Sequence, residues 1–138
     1  MNSRMAGLQD ILDPSIMFRR YAGIKTMEEG YNLVPLLLEK EKIAAVSTFL
    51  FVTNDNVAIG IINRLKEYSI RIPEQVSIPG YDNIKISGLC RVPLTTVSQP
   101  VFDMGRIAAM ELLDMLNGNS GAPWRHIIQP ELVEREST

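Results

Sequence analysis

Asn54 and Asp55 close one apolar run, and Asp82 closes another in Gly80-Tyr81-Asp82. A primary amide and two carboxylates donate and accept hydrogen bonds, which is the chemistry of recognition. Each cluster falls at the carboxyl end of a predicted strand, with one amphipathic helix between them. In an open parallel sheet the carboxyl ends of the strands share an edge, and ligands sit in the crevice outside it. Asn54, Asp55 and Asp82 are therefore expected to face one cleft.

Groups suited to catalysis are sparse. No G-x-S-x-G, phosphate-binding loop or Cys/His constellation occurs. His126 is the only histidine and has no Asp, Glu or Cys at ligand spacing, so neither a metal nor a cofactor is expected. Cys90, the single cysteine, has no internal disulfide partner and no cationic neighbour in sequence to activate its thiol. It reads as an inert small residue near a loop, and Trp124 beside Pro123 as a packing residue.

Composition narrows the class. The 138 residues are 46% hydrophobic and 22% charged, enough apolar content for one domain with a real core. Fourteen basic and sixteen acidic residues are well mixed, so the chain carries no electrostatic footprint for a phosphate backbone. No apolar stretch reaches the roughly 18 residues that cross a bilayer. Met1 to Asp10 lacks the pattern of a secretory signal. With one cysteine, this points to the cytoplasm.

The elements that must position the polar clusters read as follows. A helix over 4–12 stops before Asp13-Pro14, and Ile16 to Tyr21 is a short strand candidate. Thr26 and Glu29 form a capping box. It opens a helix with Met27, Tyr31, Val34, Leu37 and Leu38 on one stripe, and Pro35 should kink that helix. Thr48 to Thr53 is nearly all apolar, the pattern of a strand covered on both faces. A helix over about 56–68 buries Ala58, Ile61, Ile62 and Leu65, and Asn54 or Asp55 can cap its first turn. Gln75 to Pro79 is a strand that Pro79 marks as an edge or as fraying at its end. After a loop over 83–93, Leu94 to Val97 is a further strand. Pro100 starts a helix that ends near Asn117-Gly118 and is apolar almost all round, which calls for burial on more than one side. Short strands follow around His126–Ile128 and Leu132–Arg135. The alternation is an α/β architecture with a parallel sheet and helices on both faces.

Several short motifs recur in one order: Arg4-x-x-Gly7, Gly30-Tyr31, Asn54-Asp55-x-x-Ala58-x-Gly60, Ile72-Pro73-Glu74-x-Val76-Ser77-Ile78, Gly80-Tyr81-Asp82-Asn83, Pro93-Leu94-Thr95-Thr96-Val97-x-Gln99-Pro100, Met104-Gly105 and Glu131-Leu132-Val133-x-Arg135-Glu136-Ser137. That ordered set, from residue 4 to the end, resembles the carboxyl-terminal part of LacI/GalR transcription regulators. The resemblance implies an incomplete lobe of the type I periplasmic-binding-protein-like fold over 1–138. In intact homologues, 94–117 would belong to the amino-terminal lobe. It also implies that the helix-turn-helix head and the first half of the core are absent here. Exposed apolar surface on the 101–117 helix, and self-association or strand exchange, are then expected.

The resemblance assigns Arg4, Asn54 and Asp82 to the effector cleft. A guanidinium offers forked donors and a carboxylate accepts from paired hydroxyls, which suits sugars and nucleobases. Asp82 reads either this way or as a turn-forming residue after Gly80-Tyr81. Asn54 is a ligand contact, a helix cap or both, and Asp55 a cap or structural acceptor. Lys25 stands where the family often places an aromatic ring. It is solvated, or it marks a ligand that is anionic or not stacked. Gln99 either reaches the cleft or merely precedes a helix.

The expected protein is thus the effector-binding and dimerisation core of a regulator, not an enzyme. It senses a sugar-like small molecule, associates with itself as a dimer, and meets DNA only through a head it lacks. The alternatives are a sugar-binding protein of a transport system and a truncated regulator acting through mixed dimers.

Overall fold

A computed structural model describes residues 3–13, 15–17, 19–119 and 125–138, with only the backbone of 3, 4, 5 and 9. The elements are α1 (Ser3–Ile11), α2 (Met27–Lys40), β1 (Thr48–Phe49), α3 (Asp55–Glu67), β2 (Val76–Ser77), β3 (Gly80–Tyr81), a 3-10 turn (Lys85–Gly88), β4 (Thr96–Ser98), α4 (Val101–Leu116) and β5 (Glu131–Val133). Pairing of β1 with β2 and of β3 with β4 is parallel, while β5 runs antiparallel to β4. The chain is mixed α/β with parallel sheet elements, as the periodicity predicts.

Residues 76–81 pass from one sheet to the other. Val52 N–H donates to the Pro79 carbonyl at 3.0 Å, and Ile78 N–H turns the opposite way to Ser137 O at 2.7 Å. Gly80 N–H then joins Thr95 O at 2.8 Å. Pro79 has no N–H to give, and it sits where the stretch changes partners.

The core lies between this stretch and a pair of helices. The Thr26–Glu29 capping box is formed, and α2 continues through Pro35 without a break. Val34 and Leu37 of α2 meet Ala58, Ile61, Ile62 and Leu65 of α3, all buried, with Val76, Ile78 and Leu94 beneath. Each large apolar side chain buried this way contributes about 1.5–3 kcal/mol relative to exposure. Glycines set the helix spacing. A Cβ on Gly30 would strike the Val57 carbonyl, and one on Gly60 the Met27 carbonyl.

Two strand expectations fail. The described residues of Ile16 to Tyr21 form bends and coil, and His126–Ile128 is extended without a ladder. Strand propensity needs a partner edge, and no strand pairs with either segment among the described residues. Trp124 lies outside the described residues. The expectation for α4 is met in its second half: the helix buries no residue, and Phe102 and Leu116 are 79% and 74% exposed.

Candidate functional site

β1 delivers Asn54 to the start of α3, and β3 delivers Asp82 to the turn that follows it. Asn54 adopts an extended N-cap conformation, and its Oδ1 accepts from Val57 N–H at 3.3 Å. Its Nδ2 is left to point across the sheet edge, where it donates to Asp82 Oδ2 at 3.0 Å. Gln99, at the exit of β4, donates from Nε2 to Asp82 Oδ1 at 2.7 Å. The helix-cap reading of Asn54 is thus met while the same side chain also contacts Asp82, and Gln99 reaches the cluster. All three residues are part-exposed.

The backbone beneath Asp82 is unusual. Asp82 and Asn83 have φ of 111° and 49°, a region that non-glycine residues seldom occupy and that costs free energy to hold. Asp82 N–H is tied to Val97 O at 3.0 Å. The Asn83 amide is clamped by Ser98 Oγ at 3.2 Å and by Arg135 Nη2 at 2.9 Å, while Arg135 Nη1 holds Leu94 O at 2.7 Å. Asn83, Ser98 and Arg135 were not picked out as site residues by sequence. Asn83 and Arg135 stand inside the quoted motifs, which was the only available signal.

Asp55 corrects the expectation of three residues facing one cleft. It is fully buried under the site, not in it. Thr96 Oγ1 and Ser87 Oγ each donate to its carboxylate at 2.6 Å, and Ile84 N–H does so at 3.1 Å. The structural-acceptor reading is the one that fits. Helix geometry explains this: consecutive residues at a helix start point in different directions, so Asn54 and Asp55 cannot share a face.

Lys25 is exposed in the turn before α2. Its backbone N–H donates to Glu29 at 2.7 Å, and its side chain makes no described contact with the Asn54–Asp82–Gln99 cluster. Arg4 lies within α1, and its side chain is outside the described set. Burial pushes the Cys90 thiol up, in keeping with an inert residue. Among the described residues no group of three metal-ligating side chains exists, and no helix is long and apolar enough to cross a membrane. His126 Nε2 lies 2.9 Å from a carboxylate oxygen of Glu111.

A carboxylate fixed between two amides can accept from one hydroxyl while the amides donate to or accept from its neighbour. That suits a polyhydroxylated ligand.

Comparison with known proteins places the chain in a family. The profile described as a periplasmic binding protein-like domain matches residues 14–138. The transcriptional repressor CytR of Escherichia coli K12 is 33% identical over 128 residues, covering 93% of this chain and 36% of CytR. The transcription regulator CcpA of Lactococcus lactis superposes with a TM-score of 0.84 at 27% identity, over 98% of this chain and 49% of that one. A LacI family transcriptional regulator from Enterococcus faecium with bound ribose gives 0.71 at 32% identity, over 82% and 40%. The chain therefore spans about a third of the CytR length and half or less of these solved chains. The chain belongs to the periplasmic binding protein-like domain family, and its relatives there are LacI-family transcriptional regulators.

Proposed function

We propose that this chain is the effector-binding and dimerisation core of a LacI/GalR-type transcriptional regulator, sensing a sugar-like small molecule in the cytoplasm. The observation that carries the reading is the Asp82 carboxylate held between the Asn54 and Gln99 amides at the carboxyl edge of the sheet. The ribose bound to the Enterococcus relative supports a ligand of this class. In an intact regulator, closure of the core on the effector would shift the population between two states and so alter DNA binding by a separate head. Residues 94–117 would pack against the amino-terminal lobe there, which accounts for the bare apolar surface of α4. In this chain alone, that surface favours pairing with a second copy.

Titration of the chain with a panel of pentoses and hexoses, followed by NMR, tests the site. Saturable shifts at the Asn54 and Gln99 side-chain amides, abolished by Asp82→Ala, are expected. No sugar-dependent change at those amides, or changes that survive Asp82→Ala, would overturn the reading. Sedimentation velocity at micromolar concentration checks association, and a monodisperse monomer would remove the dimer from it.

A further inference from the structure

Asp82 presents its carboxylate from a turn that its own backbone resists. Asp82 and Asn83 stand consecutively at φ of 111° and 49°. Asparagine tolerates the second value, whereas the first lies outside the small left-handed region open to residues with a Cβ. Such a pair persists only where its surroundings fix it. Released, the turn would relax and carry the carboxylate away from the Asn54 and Gln99 amides.

The neighbouring strand β4 supplies part of the fixing. Val97 O accepts from Asp82 N–H at 3.0 Å, Thr96 Oγ1 from Asn83 N–H at 3.3 Å, and Ser98 Oγ from Asn83 Nδ2 at 3.2 Å. Asn83 Oδ1 takes its bond from elsewhere, Arg135 Nη2 at 2.9 Å, two residues beyond the end of β5. A donor with full charge makes this a stronger bond than its neutral neighbours.

Arg135 is itself pinned. Its backbone N–H donates to Thr95 Oγ1 at 2.8 Å and its Nη1 to Leu94 O at 2.7 Å. Gly88 flanks the guanidinium, so close that a Cβ there would lie 3.5 Å from Nε. Ser137 sews down the same segment, donating to Ile78 O at 2.6 Å and accepting from Thr95 N–H at 2.9 Å. A planar fork with both ends engaged dictates where Asn83 Oδ1 must sit. A lysine ammonium, a compact charge on a flexible stem, does not.

We propose that Arg135 is a positioning residue of the effector site: it locks Asn83 in the left-handed turn and so aims the Asp82 carboxylate at the Asn54 and Gln99 amides. This deepens the effector reading and rests on it. The rival role is a rivet, in which Arg135 merely fastens the 131–137 segment to β4 through Leu94 O.

A double-mutant cycle separates the two roles, using Arg135→Lys, Asn83→Gly and both together. Glycine adopts a φ of 49° without a clamp, so it makes the lock redundant and leaves the rivet untouched. Two readouts are taken by NMR: the Asn54 and Gln99 side-chain amide signals without ligand, and the affinity for ribose. Arg135→Lys alone is expected to move both signals and to weaken ribose binding by about tenfold. In the Asn83→Gly background the same change should leave the signals in place and cost less than about twofold. Equal effects in the two backgrounds would overturn the proposal in favour of the rivet. No effect in either background would overturn it as well. A parent chain that binds no sugar would count against the effector reading alone, because the ligand-free amide signals still decide what Arg135 does.

Discussion

Asn54 Nδ2 reaches Asp82 Oδ2 at 3.0 Å across two strands while Asn54 Oδ1 caps α3 through Val57 N–H. One amide thus joins the helix start to the carboxylate of the neighbouring strand end. The two duties separate by substitution. Asn54→Ser keeps an N-cap acceptor and should leave thermal stability within about 0.5 kcal/mol, whereas Asn54→Ala forfeits about 1 kcal/mol. Both lose the donor to Asp82, so both should weaken sugar binding by about tenfold, or 1.4 kcal/mol. Denaturant melts paired with NMR titration separate the outcomes. A serine variant that binds as the parent does would show that the contact is incidental.

Asp55 is predicted to matter for the fold and, through the fold, for the site. Its carboxylate accepts from Thr96, Ser87 and the Ile84 backbone in a fully buried position. Asp55→Ala would orphan three donors, and each buried unsatisfied group costs about 1–3 kcal/mol. A loss of at least about 3 kcal/mol is expected by urea unfolding. Asp55→Asn keeps the shape and one acceptor oxygen, and should cost clearly less. Gly80 reports on the same contact, because a Cβ there would strike the Asp55 carboxylate. Gly80→Ala should therefore destabilise in parallel with Asp55→Ala.

How much of this was legible in sequence depends on the range of the interaction. The Thr26–Glu29 capping box and the Asn54 cap are decided within four residues, and both formed as read. The α3 stripe of Ala58, Ile61, Ile62 and Leu65 follows from helix period and is buried. Strand ends were placed well enough to bring Asn54 and Asp82 together. Ile16 to Tyr21 and His126–Ile128 failed because a strand exists only with a partner, which propensity does not contain. The direction of Asp55 failed for a related reason. Its partners Ser87 and Thr96 lie 32 and 41 residues away. Arg135 clamps Asn83 across 52 residues, a contact that no local pattern announces.

Acid should loosen the α2 entry. Glu29 accepts from the Lys25 and Thr26 backbone N–H groups, and those bonds hold its carboxyl below the usual glutamate range. A folded-state pKa below the unfolded one contributes stability above the unfolded value, lost as pH falls through the folded value. Glu67, lowered by the Tyr31 hydroxyl and the Arg64 guanidinium, adds in the same direction. Glu29→Gln retains the capping geometry without a titrating group. Its melting temperature should therefore fall less steeply than the parent's between about pH 5 and pH 3. Equal slopes would mean that the Glu29 bonds persist in the unfolded ensemble or do not form.

The α2–α3 crossing offers a test in which one substitution type should give opposite signs. Gly60 packs under the Met27 carbonyl and the Tyr31 N–H, so a methyl there has backbone, not a flexible side chain, to displace. Replacing a helical glycine by alanine gains about 0.5–1 kcal/mol from chain entropy. At Gly60 the clash should outweigh that gain, since forced overpacking costs about 1–3 kcal/mol and backbone yields least. Gly105, in the middle of α4, has nothing within 4 Å of its would-be Cβ. Gly105→Ala should thus stabilise α4, while Gly60→Ala lowers the melting temperature by several degrees, at roughly 3–6 °C per kcal/mol for a chain of this size. Because Tyr31, Arg64 and Glu67 bridge the same helix pair through bonds of 2.6–2.9 Å, separation at Gly60 should also disturb that network. The hydrogen bond to the Glu67 carboxylate, helped by desolvation, holds the Tyr31 hydroxyl above its ordinary range, so a Tyr31 titration that moves back toward normal in Gly60→Ala would report the separation directly. An unchanged Tyr31 titration alongside a lowered melting temperature would place the damage within α3 alone.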